Sequence, residues 1–419
     1  MKKEEQIRVA HIVGKWLGGG VEAVVMNYYR NIDKSKIQFD FICDSDSTNI
    51  PYDEIESLGG RVYLIPPYQK IVKYHKELKK ILKKNNYKIV HSHINTLSVF
   101  PLYAAKKAGV PVVPGSDGLI YSKEQALNLA EQIKYPVMLK ASSGGGGRGI
   151  RVAYTPEELS REYDLVKQEA KVSFNDDSIY LEKFIENPRH VEIQILADEH
   201  GNCIHLGERD CSIQRRNQKV LEETPAMILD DKTRKKMGEV AVKAAKEIGY
   251  TNAGTIEFLV DKNKDFYFME MNTRVQVEHP ITEEVTGVDI IKEQLKIASG
   301  EKLSYKQKDI TVTGHSMEAR INSENPDKNF MPCPGTITDV HFPGGNGVRI
   351  DTAVYTGYKI PPTYDSMIAK IIVHGKNRNE CIAKLKNCLS ELVIDGVTTN
   401  AKFILKILED EDFVNNNYD

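Results

Sequence analysis

The chain has 419 residues, with 57 Lys and Arg against 59 Asp and Glu and a formal net charge of −2. That length exceeds one ordinary domain and supplies a substantial core. The balanced charge, with basic residues spread rather than gathered into a stripe, argues against a nucleic-acid or membrane-surface partner. Six cysteines without C-x-x-C spacing, no signal peptide and no long apolar span are expected of a reduced, cytoplasmic protein.

The first stretch alternates strand and helix signals. Strands are predicted over 8–13, 39–43, 61–65 and 89–90, with helices from about 21 and over 72–85. That order is the grammar of a parallel α/β layer. The glycines at 18–20 precede a helix and either accept a phosphate or make a tight strand-to-helix turn. His91 and His93 alternate at a strand end without a third partner, which is not the pattern of a metal site. After residue 111 the grammar changes. P-G-S-D-G at 114–118 is a turn, a helix is predicted over about 122–133, and strands over 136–140 and 150–153 flank the run S-S-G-G-G-G-R-G at 142–149. From residue 177 on, strand pairs and helices interleave irregularly, as in a mixed α+β domain, and the polar end at 412–419 is expected to fray.

Gly144, Gly145, Gly146 and Gly147 can close over a ligand and present backbone N–H groups without Cβ interference. No Gly-Lys-Ser/Thr opens a helix there, so this is not a Walker A loop. Lys140 ends the preceding apolar strand, from which its ammonium reaches phosphates that the loop would cover. Glu182 follows another apolar strand, where a linker reads an adenine amino group; taken alone such a residue is more often an ordinary surface charge.

The run E-M-N-T-R-V-Q-V-E-H at 270–279 carries the most chemistry. In an extended chain alternate residues share a face, which groups Glu270, Asn272, Arg274, Gln276 and Glu278 and turns Val277 the other way. Such a row can hold magnesium, grip an oxyanion and move a proton. The runs 254–260 and 265–272 flank the turn D-K-N-K and read as a hairpin. With that turn centred on Lys262 and Asn263, Glu257 is expected opposite Phe268 and diagonal to Glu270. Two carboxylates so close repel unless a cation lies between them or one carries a proton.

From about residue 110 to 413 the sequence resembles the biotin carboxylase branch of the ATP-grasp superfamily, the ATP-using component of acetyl-CoA carboxylase in fatty acid biosynthesis. The motifs V-P-G-S-D-G, the glycine loop, L-E-K-F-I-E-N-P-R-H-V-E, E-R-D-C-S-I-Q-R-R, E-M-N-T-R-V-Q-V-E-H-P and Y-D-S-M-I occur in the family's order and spacing. The resemblance implies an ATP-dependent ligase that phosphorylates bicarbonate to carboxyphosphate and carboxylates biotin. It puts Lys140 and the glycine loop on the phosphates, Glu182, Lys183 and Ile185 at the adenine, and His190, Gln214 and Asn217 at the nucleotide. Glu257, Glu270 and Asn272 would hold two Mg²⁺ (or Mn²⁺). Lys219, Arg274, Gln276 and Val277 would bind bicarbonate, Glu278 would take its proton, and Arg320 would stabilise the enolate-like oxygen of biotin. Phosphoryl transfer needs such cations, and an enolate needs a fixed positive partner. No carrier segment and no carboxyltransferase region is read, so the biotinylated carrier protein and the carboxyltransferase subunits are expected to be separate chains.

Two departures accompany the resemblance. Asn217 stands where the family usually has histidine, keeping a donor and losing a charge. Residues 1–108 lack the family's N-R-G-E and G-Y-G motifs and instead resemble the acceptor-side half of a family 4 glycosyltransferase, through H-I-V-G-K-W-L-G-G-G-V-E, M-N-Y-Y-R, F-D-F and I-V-H-S-H. The switch falls in A-A-K-K-A-G-V-P at 104–111, and the position of a further family lysine falls on Ser98. The family's homodimer draws on its first domain, which leaves a dimer open here. The expected fold is therefore α/β and α+β: a Rossmann-like domain over 1–109, an ATP-grasp lid over 110–184, and the ATP-grasp large domain with the biotin carboxylase C-terminal region over 185–419. Biotin carboxylation is the expected function; the alternatives are a chimeric, catalytically weak ATP-binding protein or a glycosyltransferase fragment, against which the nucleotide-sugar half is missing.

Overall fold

Four apolar runs near the N-terminus pair into an all-parallel sheet, seen in a computed structural model that describes residues 7–16, 20–67, 71–85, 87, 89–92, 111–116, 118–141, 150–174, 177–216, 218–362 and 365–418. β1 (Ile7–Gly14), β2 (Ile37–Asp44), β3 (Arg61–Ile65) and β4 (Ile89–Ser92) lie in the order β3-β2-β1-β4. Helices Gly20–Asn31, Tyr52–Ser57 and Ile71–Asn85 connect them. β2 is buried from Gln38 to Asp44, as a parallel strand covered on both faces must be. Its buried Asp40 is met by Arg8 and by the Tyr87 hydroxyl at 2.6 Å.

The next unit is a three-stranded antiparallel sheet in which β5 (Val137–Ala141) lies between β6 (Ile150–Ala153) and β7 (Ile179–Lys183). Helices Lys123–Ile133 and Pro156–Phe174 cover it through Ala130, Leu159 and Val166. Ser122 caps the first of these helices by accepting from the Gln125 N–H.

The largest sheet has eight antiparallel strands. β8 (Arg189–Ala197), β9 (Cys203–Arg215), β10 (Gln218–Thr224), β11 (Asn252–Val260), β12 (Phe266–Asn272) and β13 (His315–Asn322) run in the order β12-β11-β8-β9-β10-β13, followed by strands Met367–Gly375 and Val348–Thr352. One face of its first half packs on helix Asp231–Glu247 through Val191, Ile193, Ile256 and Phe258. Its second half packs on helices Arg378–Glu391 and Ala401–Glu409 through Met317, Ile371, Leu385 and Ile404.

Two expectations are corrected. The hairpin turn is longer than D-K-N-K: Asp261 N–H bonds the Asp265 carbonyl, Phe258 pairs with Phe268, and a bulge at Met269 then puts Glu257 directly opposite Glu270. A bulge adds one residue to one strand and so reverses its alternation. The polar end does not fray through Tyr418. A short helix, Glu411–Val414, leads to Tyr418, whose hydroxyl bonds Glu223 at 2.8 Å and whose ring lies 3.7 Å beneath the Arg189 guanidinium. Tail residues that satisfy buried charges are held by them.

The segment entering the second unit is stitched to both later sheets: Phe268 N–H bonds the Pro111 carbonyl, Ser116 N–H the Leu181 carbonyl and Lys183 N–H the Pro114 carbonyl. Among the described residues, two apolar clusters are built wholly from residues 9–87 and four from residues 112–418. Cores that are not shared unfold separately. Scanning calorimetry is therefore expected to resolve two transitions; one transition with equal calorimetric and van't Hoff enthalpies would show the cores to be coupled.

Candidate active site

Strand alternation builds the floor of the site. The register that sends Val191, Ile193 and Ile195 into the core turns His190, Glu192 and Gln194 to the opposite face, and Ile256 and Phe258 do the same for Thr255 and Glu257. β9 adds Arg209 and Cys211, β10 adds Lys219, and β13 adds Arg320. Over this floor lies a cavity of about 690 Å³.

Glu278 is fully buried at its edge. One carboxylate oxygen accepts from Lys219 Nζ at 2.5 Å and the other from an Arg320 terminal nitrogen at 2.9 Å. Lys219 Nζ also meets Glu192 at 2.6 Å and Glu257 at 3.2 Å. Burial works against the Lys219 ammonium, yet the carboxylates around it raise its pKa above the ordinary lysine value. Arg209, itself wholly buried, closes the floor by donating to Glu192 at 2.6 Å, Gln194 at 2.8 Å and Thr282 at 3.0 Å. Burial alone would push the Glu192 carboxyl up; Arg209 and Lys219 outweigh it and hold it at about 2. The Cys211 thiol stands 3.9 Å from Glu278, and burial raises it well above the usual range, so it packs as a neutral group.

Glu257, Glu270 and Asn272 form a set of hard ligands. The Asn272 amide nitrogen sits between the two carboxylates, 2.9 Å from Glu257 and 3.1 Å from Glu270. Turning that amide over presents three oxygens to one point, the donor set that Mg²⁺ takes, so these residues fit the metal. Glu257 is ionised without it: burial raises its carboxyl, but His190, Lys219 and Gln276 hold it at about 2. This removes the protonated-carboxyl alternative for Glu257. Gln214 donates to His190 Nδ1 at 2.9 Å, so the ring proton belongs on Nε2, which faces Glu257 at 2.9 Å.

His190, Gln214, Lys219, Glu257 and Arg320 all border the cavity, as do Glu270, Asn272, Arg274, Gln276, Val277 and Glu278. The extended row from 270 to 278 is corrected in how it gets there. β12 ends at Asn272, the chain bends at Arg274, and Val277 and Glu278 reach the cavity from a turn. Glu278 is the residue before helix His279–Thr286 but makes no side-chain cap, because its carboxylate is committed to Lys219 and Arg320. Arg274 is exposed, and among the described residues its guanidinium bonds the Val275 carbonyl at 3.2 Å. The Val277 side assigned by alternation is immaterial, since its carbonyl is what Lys370 binds, at 2.7 Å.

Lys140, Glu182, Lys183 and Ile185 do not line this cavity; they belong to the three-stranded sheet and the segment leaving it. Lys140 is ion-paired with Glu182, and Lys183 donates to the Tyr135 carbonyl at 2.7 Å and to that of Lys134 at 3.1 Å. Gly144, Gly145, Gly146, Gly147, Asn217, His93 and Ser98 lie outside the described residues. Sequence reasoning missed Glu192, Arg209 and Glu222. For Glu192 the signal was present: a charged residue between Val191 and Ile193 of an otherwise apolar strand must be paired if the strand is internal.

Residues 102–306 match the family described as carbamoyl-phosphate synthase L chain, ATP binding domain, residues 318–419 match the biotin carboxylase C-terminal domain, and residues 18–140 match glycosyltransferase family 4. Biotin carboxylase 1 of Bacillus subtilis is 59% identical over 314 residues, 75% of this chain and 70% of the relative. The biotin carboxylase of Pseudomonas aeruginosa is 54% identical over 74% of this chain and 69% of its own. The chain belongs to the biotin carboxylase family. It is an ATP-dependent ligase that acts with Mg²⁺ and bicarbonate and carboxylates biotin. Among solved structures, the biotin carboxylase of Campylobacter jejuni in complex with beta-gamma-ATP matches with a TM-score of 0.71 and 39% identity, over 99% of this chain and 98% of that one. The biotin carboxylase domain dimer of the Hydrogenobacter thermophilus 2-oxoglutarate carboxylase, solved with MgADP, ADP and bicarbonate, matches with a TM-score of 0.71 and 37% identity over 99% of this chain and 96% of that one. The structural likeness thus runs the length of the chain, whereas the curated relatives match about three quarters of it. No helix among the described residues is long and apolar enough to cross a membrane.

The buried pairs make a stability prediction. Arg209→Met removes the main partner of a wholly buried Glu192, and breaking such a pair costs about 3–5 kcal/mol. Denaturant unfolding is expected to show that loss; a change under about 1 kcal/mol would mean that Glu192 is satisfied by Lys219 alone.

Proposed function

We propose that the carboxylation of biotin is carried out in the cavity over β8–β13, with each role tied to a contact described above. The observation that supports this best is Glu278, buried and bridged by Lys219 on one oxygen and Arg320 on the other. A carboxylate so held is a poised base, and its two cations sit where an anion would bind. Lys219, Arg274, Gln276 and the Val277 backbone would hold bicarbonate, Glu278 would take its proton, and Arg320 would face the biotin oxygen. Glu257, Glu270 and Asn272 would hold the metal, which when bound neutralises phosphate charge. Lys140 and Gly144 to Gly147 would hold the phosphates, Glu182, Lys183 and Ile185 the adenine, and His190, Gln214 and Asn217 the rest of the nucleotide. In that reading ATP lies between the three-stranded sheet and the cavity, and Lys140 exchanges Glu182 for a phosphate.

The same reading divides the chain into a Rossmann-like domain over 1–109, a lid over 110–184 and a large domain over 185–419. The family matches overlap between residues 102 and 140, which supports a junction of two sequences in that interval. Apolar clusters that end at Tyr87 on one side and begin at Val112 on the other support a first domain that contributes little to the site, and bicarbonate-dependent turnover below that of an ordinary family member. The acceptor would be biotin on a separate carrier protein, with carboxyltransferase subunits as further partners and a homodimer as a further assembly. The six free cysteines fit a cytoplasmic location.

The test is ADP release from MgATP, with and without bicarbonate and free biotin. Bicarbonate-dependent release is expected in the wild type, and Glu270→Gln is expected to lower it by about a hundredfold or more with a stability change of about 1 kcal/mol or less. ADP release indifferent to bicarbonate, or a Glu270→Gln chain that loses stability in proportion to activity, would contradict the reading.

A further inference from the structure

Beneath Arg320 lie two carboxyl groups that the roles above leave unused. Glu222 on β10 and Glu318 on β13 are direct partners across the antiparallel ladder, and both are 0% exposed. Glu222 Oε1 accepts from Arg320 Nε at 2.6 Å. Its Oε2 and both oxygens of Glu318 have no hydrogen-bond partner among the described residues. Opposed residues in such a ladder have Cβ atoms about 5 Å apart, within reach of two glutamate side chains.

The charged and titratable groups facing this pair come from every element packed against it. Arg320 shares β13, Cys211 comes from β9, Lys219 from β10, Glu278 from the turn before helix His279–Thr286, and Lys370 from strand Met367–Gly375. Lys370 does not take the place of a proton. Its Nζ stands 3.8 Å from Glu318, beyond hydrogen-bond reach, while it bonds the Val277 carbonyl at 2.7 Å and lies 3.4 Å from Asp351.

Two facing carboxyl groups out of water, with one guanidinium on one of their four oxygens, cannot both be ionised. We propose that Glu222 and Glu318 share one proton, carried by Glu318, so that neutral Glu318 donates to the Glu222 carboxylate and fixes the group that aims Arg320 into the cavity. The proton belongs on Glu318 because Glu222 alone holds a cation. Burial, then the Glu222 charge, pushes the Glu318 carboxyl well above its usual range, and burial raises Glu222 to about 7 against the pull of Arg320. Both glutamates are positioning residues for Arg320, and this role rests on the assignment of Arg320 to the biotin oxygen.

The sign of the pH dependence follows. Glu318 loses its proton near the ordinary glutamate value of about 4.3 when unfolded, and at higher pH when folded. Between those two values the native state binds more protons, so stability falls as pH rises. Glu318→Gln keeps the donor and removes that fall.

The experiment follows thermal unfolding of the full chain from about pH 5 to pH 9, together with biotin-dependent ADP release. The Tm of Glu318→Gln relative to wild type is expected to rise with pH, with kcat within about threefold of wild type. Glu222→Gln is expected to lower kcat about a hundredfold with the KM for ATP unchanged, because Arg320 loses its anchor. A Tm advantage that shrinks with pH, or a Glu318→Gln chain as inactive as Glu222→Gln, would overturn the proposal. If the wild type itself does not turn over, the assignment of Arg320 fails while the Tm comparison still decides the shared proton. A further readout needs no variant: the infrared spectrum of the wild type at about pH 8 should retain the carbonyl band of a protonated carboxyl, and its absence refutes the shared proton.

Discussion

A carboxylate taken wholly out of water needs a partner on each oxygen, and in this chain that demand falls on Glu278. Its partners come from far apart in the sequence: Lys219 from β10 and Arg320 from β13, while Glu278 itself lies on a turn after β12. Displacing either cation would strand the charge, so the three positions fix one another. The rest of the floor follows the same rule. Arg209 answers Glu192 and His190 faces Glu257; on the opposite, helix-covered face, where Glu223 pairs with Met317, Arg378 meets Glu223 at 2.7 Å with His315 at 2.9 Å on the same carboxylate. The cavity face of the eight-stranded sheet is therefore held by paired charge, and the helix-covered face chiefly by apolar packing with the Glu223 cluster set into it.

That division explains why the site is rigid before any ligand arrives. Groups buried in pairs cannot reorient cheaply, so the field over the cavity is set by the fold and needs little reorganisation during reaction. Arg274 is the contrast: exposed, with its guanidinium on a neighbouring backbone carbonyl, it is free to meet an anion at the cavity mouth. Asn272 is another, since its amide can present nitrogen to two bare carboxylates or oxygen to a metal between them.

Much of this was legible in the sequence. The alternating strand and helix signals of the first domain, the helix after Ser122 and the hairpin over 252–272 follow from local pattern, and the motif order named the cavity residues from His190 to Arg320. What local pattern missed has physical causes. The bulge at Met269 adds a residue that no turn rule predicts, and it decides that Glu257 faces Glu270. Alternation was carried past Asn272, where the ladder ends and the chain turns. Glu222 and Glu318 gave no motif at all, because their meaning depends on strand pairing across about ninety-six residues of sequence. The tail that looked ready to fray is held by Arg189 and Glu223, partners that only the fold brings near.

Residues 18–140 match a different family's model in a place where the solved biotin carboxylases also have structure, and the apolar clusters of residues 9–87 close on themselves. Whatever that changes, Lys219 and Arg320 lie in the later sheet and Glu278 on the turn that follows β12. The account's central claim is that Glu278 acts in the chemical step and not in holding the nucleotide. The direct measurement is MgATP affinity by titration beside bicarbonate-dependent ADP release, in the wild type and in Glu278→Gln. The account predicts affinity within about threefold and a turnover lower by about 10²–10⁴-fold. Parallel loss of affinity and turnover would contradict it.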